Sequence, residues 1–166
     1  VTVLFPDRSR PRVLAVLRSG AVVEPTPADR ALFGAVWTAG RRTVAGDSGP
    51  VPWAVVNGLR GAAETERAWL RSVGDPGERA RIAEQIPGVG SGGLFVVGSN
   101  HDAPAAHVHA GQAAQRIVLT SALLGYAAEV VGWPADFRGV GSLPSSVGGP
   151  GLFPQLLVVV GRPASA

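Results

Sequence analysis

"HVHAGQAAQRIVLTSALLGY", residues 107–126, opens with two histidines one residue apart and continues as a long apolar stretch. Three readings compete: a metal site, a membrane-spanning segment and a buried packing helix. His107 and His109 would diverge by about 200° around a helix, so only an extended backbone puts both on one side. Structural zinc wants about four ligands, and beyond His101 and Asp102 nothing nearby is suitable. No metal is therefore expected, and the histidines read as solvated or capping groups. A bilayer span needs roughly 18–20 uninterrupted apolar residues, and Gln112, Gln115 and Arg116 interrupt this run. What remains is a helix from about Ala105 to Ala128 with apolar residues on nearly all faces, a pattern typical of burial. Gly111, Ala113 and Ala114 would permit close backbone approach.

The rest of the 166-residue chain fits one globular unit. Its hydrophobic fraction of 46% and charged fraction of 16% are those of a folded rather than a disordered chain. There is no Cys, which excludes a disulfide framework, a thiolate nucleophile and Cys-ligated metal. All 15 basic residues are Arg. The pI of 10.9 overstates a formal charge of only +3, and the charges are scattered rather than gathered into a nucleic-acid-binding face. Without Lys there is no Schiff base and no P-loop lysine. The first residues lack the sections of a signal peptide, and the chain starts at Val1 with no Met anywhere. That implies an alternative start codon or a fragment. A cytoplasmic protein with neither membrane nor nucleic acid as partner is the expectation.

Along the chain, "VTVLF" and "RVLAVLRSG" flank the turn-forming "PDRSRP" and read as a hairpin or sequential strands. Thr26 or Asp29 starts a helix with Leu32, Val36 and Ala39 at helical spacing, ending near Gly40. After a Gly/Pro loop, Trp53, Val56, Leu59 and Ala63, continued by Ala68, Trp69 and Leu70, predict a second amphipathic helix. Asp75 caps a short charged helix with Pro76 in its first turn, running to about Ile86. "LFVVG" and "FPQLLVVVGRP" read as strands, the latter too uniformly apolar for a sheet face open to water. The expected class is α+β and layered. Residues 1–26 read as a strand pair or connector, and 27–166 as the domain.

Two motif-like stretches carry no chemistry. Gly88, Gly90 and Gly93 have dinucleotide-fingerprint spacing but precede a strand, whereas that fingerprint follows a strand and opens a helix. "GDSGP", residues 46–50, resembles the segment around a trypsin-like serine, yet no His precedes His101. It reads as a turn. Arg41, Arg42 and Thr43, just past the first helix, have the donors to grip a phosphate through charge-assisted bonds. Read from the residues alone, the same basic pair simply complements a helix C-terminus.

Three stretches in order resemble the nitroreductase-like flavoproteins: "RRT" with "VPWAVVNGLRGAA", then "AGQAAQRIVLTSALLGY", then "FRGVGSLPSSVGGPGLFPQLLVVVGRP". The likeness runs from about Ala28 to Pro163 and is similar above all to the middle and C-terminal portions of Acg-type nitroreductase homologues. In those, two nitroreductase-like halves imitate a homodimer, and residues 1–36 resemble the join between them. The resemblance implies a three-layer domain in which a sheet packs with a long buried central helix. It implies flavin mononucleotide (FMN) as cofactor, NAD(P)H as electron donor and a small-molecule electron acceptor. Arg41, Arg42, Thr43 and Arg162 become the FMN-binding positions. Since the ring performs the chemistry, no catalytic side chain is demanded. The family's Pro-Ser-x-x-Asn segment is missing, because its place reads "AETERAWLRSVGD". A homodimer partner or a related N-terminal half would then complete the site. The alternative is a non-catalytic module that binds or sequesters flavin, or that serves dimerisation.

Overall fold

The computed structural model describes residues 2–4, 14–46, 48–86, 89–90, 92–131 and 151–164. In chain order these form β1 (Thr2–Leu4), β2 (Ala15–Leu17), α1 (Pro27–Ala39), α2 (Trp53–Thr65), β3 (Trp69–Ser72), α3 (Pro76–Gln85), β4 (Gly93–Ser99), α4 (Pro104–Leu123), β5 (Ala127–Val131) and β6 (Phe153–Gly161). The apolar run at the C-terminus becomes β6, the inner strand between β4 and β5 in a sheet ordered β3-β4-β6-β5 with every neighbour antiparallel. β1 and β2 pair separately, Thr2 opposite Leu17. The "PDRSRP" turn and residues 137–150 of the third family-like stretch lie outside the described residues.

Strand alternation divides the core in two. Phe95, Val97, Val158 and Val160 face α2 and α4, packing with Leu59, Ala63, Ala113 and Ile117. Leu94, Val96, Leu157 and Val159 face the other way, against Ile82 and Ile86 at α3. Burial on both faces explains why β6 shows no polar alternation. The sheet thus lies between α2 with α4 on one side and α3 on the other, the expected three-layer α+β arrangement.

α4 spans about 30 Å at 1.5 Å per residue. It buries Ala106, Ala110, Ala113, Ala114, Ile117 and Ser121, while Gln112 and Gln115 stay exposed, so burial follows one face rather than all. Its close approach uses Ala113 and Ala114. Gly111 is exposed, and a Cβ there would meet nothing within 4 Å. The helix ends at Leu123 rather than near Ala128: Gly125, at φ +82, turns the chain, and Ala127 and Ala128 pair with β6.

The second helix is likewise shorter than its spacing predicts. Arg67 adopts φ 60, and Arg67 and Ala68 donate back to Glu64 and Ala63 at 3.0 and 3.1 Å, which closes α2 in a Schellman motif. Ala68 ends the turn, and Trp69 and Leu70 belong to β3, opposite Gly98 and Val97. Helical spacing and strand alternation coincide over so few residues, and pairing with β4 decides between them.

Asp75 caps α3 as expected, and of the two candidate starts of α1 Thr26 is the cap. Asp75 accepts from the Glu78 amide at 2.7 Å. Thr26 accepts from the Asp29 amide at 3.1 Å, while Asp29 accepts from the Thr26 amide at 2.9 Å. α1 buries Ala35 and Ala39, whereas Val36 is 49% exposed; the small side chains let α1 lie close on α4. The Thr26 hydroxyl, then its amide, hold the Asp29 carboxyl below the usual range. A depressed folded pKa contributes stability that is present above the unfolded value, roughly pH 4, and lost as pH falls through the lower folded value. The start of α1 is therefore expected to fray in acid below about pH 4. Amide shifts of residues 26–30 followed against pH check this. An Asp29→Asn variant retaining the same acid transition there would refute the assignment.

Candidate functional site

α1 stops at Gly40, and the Arg41 and Arg42 amides close its last turn on Thr38 and Ala39. Arg41 and Thr43 are exposed and Arg42 is partly buried. One guanidinium nitrogen of Arg42, Nη1, donates to the Ala122 carbonyl at 3.1 Å, so this arginine serves a helix C-terminus, that of α4.

Beyond Arg42 the chain runs alongside the end of β6. Val44 forms an antiparallel bridge with Pro163. Ala164 donates to the Thr43 carbonyl at 2.9 Å, and Ala45 donates to the Arg162 carbonyl at 2.8 Å. The pairing sets the segment of Thr43 beside that of Arg162 at one end of the sheet, with Arg41 and Arg42 immediately before it in the chain. Arg162 is exposed beside them.

Gly161 makes this approach possible. A Cβ there would lie 2.3 Å from Ser48 Oγ and 2.6 Å from Val44 Cγ1. Ser48, only 4% exposed, donates to the Ala45 carbonyl at 2.6 Å. The serine of "GDSGP" is thus buried and bonded to backbone; Asp47 lies outside the described residues.

Sequence reasoning missed Glu129. Its Oε1 accepts from the Val44 amide at 2.6 Å, 85 residues away. The available signal was a lone ionisable residue in the apolar strand "AAEVV".

A cleft of ≈ 490 Å³ opens beside residues 49–51 of the same loop, with Val51, Trp53, Val56 and Phe95 among its apolar walls. At its rim Arg79 donates to the carbonyls of Gly90 and Gly92. Arg60 lies 5.2 Å from the centroid of the exposed Trp53 ring. His107 Nε2 lies 2.8 Å from Asp102 Oδ1, an exposed pair at the start of α4. Among the described residues no group of three or more His, Cys, Asp or Glu could hold a metal ion.

The architecture is a nitroreductase-like α+β fold. A candidate NADH dehydrogenase/NAD(P)H nitroreductase from Parabacteroides distasonis is similar with TM-score 0.66 at 15% identity, covering 80% of this chain and 89% of its own. Nitroreductase A from Vibrio parahaemolyticus gives 0.65 at 16% identity, covering 82% and 69%. An NADPH:FMN oxidoreductase from Vibrio harveyi, complexed with NAD+, gives 0.65 at 15%, covering 81% and 70%. No family model and no curated protein matches the sequence. At these identities the likeness carries the fold, and the chemistry rests on the site.

Proposed function

We propose that this chain is a subunit of an FMN-dependent NAD(P)H oxidoreductase of nitroreductase type, with Arg41, Arg42, Thr43 and Arg162 holding the flavin phosphate. The observation that carries this reading is the backbone pairing of residues 43–45 with 162–164, which joins the two basic segments in a fold shared with an NADPH:FMN oxidoreductase. The donor set fits the group: the exposed Arg41 and Arg162 and the exposed Thr43 hydroxyl suit a dianionic phosphate. Arg42 has one nitrogen committed to α4 and the rest of its fork for the ligand. Bound flavin would supply the redox chemistry, taking hydride from NAD(P)H and reducing a nitro, quinone or similar acceptor. This chain's part is to bind and orient it. No described helix is long and apolar enough to cross a membrane, and we place the protein in the cytoplasm.

The region from Ala63 to Asp75 builds the end of α2 and β3, and it supplies no Pro-Ser-x-x-Asn segment. Phe33 and Trp37 stand 69% exposed on α1. Both observations favour a partner, a second copy or a related N-terminal half, that completes the site and covers this face. They also support the second reading, in which the chain alone binds flavin or pairs without turning over.

The test is to incubate the protein with FMN, remove free ligand, and record the visible spectrum together with the size in solution. Retained flavin on a dimer supports the oxidoreductase reading, and NAD(P)H oxidation then separates it from the non-catalytic one. In the Arg41→Ala/Arg162→Ala double variant the FMN Kd is expected to rise about 100-fold, from two charge-assisted contacts of about 1.5–3 kcal/mol each with partial compensation. An unchanged Kd would remove these residues from the site.

A further inference from the structure

The strand pairing explains how the segment from Arg42 to Ala45 meets β6 along one edge. The opposite side is fastened by different groups. Arg42 Nη1 reaches the Ala122 carbonyl at the end of α4. Two residues later the Val44 amide donates to the Glu129 carboxylate on β5 at 2.6 Å, a short bond to a charged acceptor. Ala122 and Glu129 flank the corner at which α4 turns into β5, so the segment is clipped to both ends of one corner. Arg41 and Thr43, on either side of Arg42, are left exposed.

We propose that Glu129 is the positioning residue of the phosphate-gripping turn: its carboxylate holds the Val44 amide and thereby fixes where Arg41 and Thr43 present their donors. This rests on the flavin reading above. The placement is costly in one respect, because a carboxylate beside an anion site opposes the anion it helps to organise. A residue kept there only for its charge would weaken binding. A residue kept as a hydrogen-bond acceptor strengthens it by ordering the turn before the ligand arrives. Buried Ala127 and Ala128 precede Glu129 and Val130 follows it, and none of these offers the amide a side-chain acceptor. The two roles predict opposite responses when the charge is removed and an oxygen acceptor is kept.

The experiment compares the full chain with Glu129→Gln and Glu129→Ala by two readouts: hydrogen exchange in peptides covering residues 42–46, and FMN affinity from quenching of flavin fluorescence. Glu129→Ala is expected to speed exchange in that segment and to weaken FMN binding about tenfold or more, the scale of one charge-assisted bond. Glu129→Gln should restore protection and bind FMN within about threefold of the parent, since a neutral acceptor retains the bond with less strength. Where the alanine variant does not fold, Glu129→Asp takes its place, its side chain being one methylene shorter. Unchanged exchange and affinity in Glu129→Ala would overturn the proposal. So would Gln and Ala variants that both bind FMN more tightly, the signature of charge alone. If the parent chain takes up no FMN although exchange responds as described, the reading that this chain alone binds flavin falls and the ligand role of Glu129 in it falls with it; if the parent binds and the variants do not differ, only the positioning role is lost.

Discussion

Leu157→Ala is expected to lower the unfolding free energy by about 2–5 kcal/mol. Leu157 is fully buried at the middle of β6, in a cluster with Ile82, Ile86, Leu94, Val96 and Val159. Truncation removes its transfer energy and leaves a cavity, because the backbone beneath is held by strands on both sides and cannot collapse to fill it. Native domains are stable by only about 5–15 kcal/mol, so the loss should be plain in the urea midpoint at an unchanged slope. Leu157→Ile, which conserves volume, should cost less than about 1.5 kcal/mol. A loss in the alanine variant below about 1 kcal/mol would mean that the α3 layer is not packed on the sheet as described.

Gly161→Val is expected to disable the proposed flavin site while sparing most of the fold. The first added carbon would already meet Ser48 Cβ at 2.5 Å and Val44 Cγ1 at 2.6 Å, and valine brings two more. Overpacking of this kind costs about 1–3 kcal/mol, and the least costly relief is for residues 44–48 to leave β6. That would break the Ala45–Arg162 and Thr43–Ala164 bonds and separate Arg41–Thr43 from Arg162. FMN affinity should then fall by about 100-fold, the upper end of what one charge-assisted contact is worth, while amides of α4 and of β4 stay protected from exchange. A variant that binds FMN as the parent does would show that the pairing of these segments is not what assembles the site. Global loss of protection would instead mean that this end of β6 supports the whole sheet.

Much of the architecture was legible because its signals are local. Asp75, read as a cap, accepts from the Glu78 amide three residues on, and of the two candidate starts of α1 it is Thr26 that caps, with Asp29 as its partner. β6 announced burial on both faces through an unbroken apolar run. Where two local patterns agreed with the same residues, sequence alone did not decide: Ala68–Leu70 continue the spacing of α2, and only Arg67 at φ 60 and the partners on β4 turn them into a strand. α1 shows the same limit from the packing side. Its spacing offered Leu32, Val36 and Ala39 as the inward face; Ala39 is buried, but Ala35 joins it and Val36 is exposed, since a helix lying against another is set by how closely backbones approach, not by which side chain is most hydrophobic.

By itself, then, the sequence marked α1, α3, β4, the inner apolar strand β6 and the bodies of α2 and α4, because each depends on residues within a turn or strand of one another, while β3 and β5 begin where helical spacing ran on. It also offered Arg41, Arg42, Thr43 and Arg162 as candidate phosphate-binding positions. Tertiary structure decided what those positions meet. Arg42 on Ala122, Val44 on Glu129 and Ala45 on Arg162 join residues 80 or more apart, and no periodicity or motif encodes contacts that exist only once the sheet closes between its two helical layers.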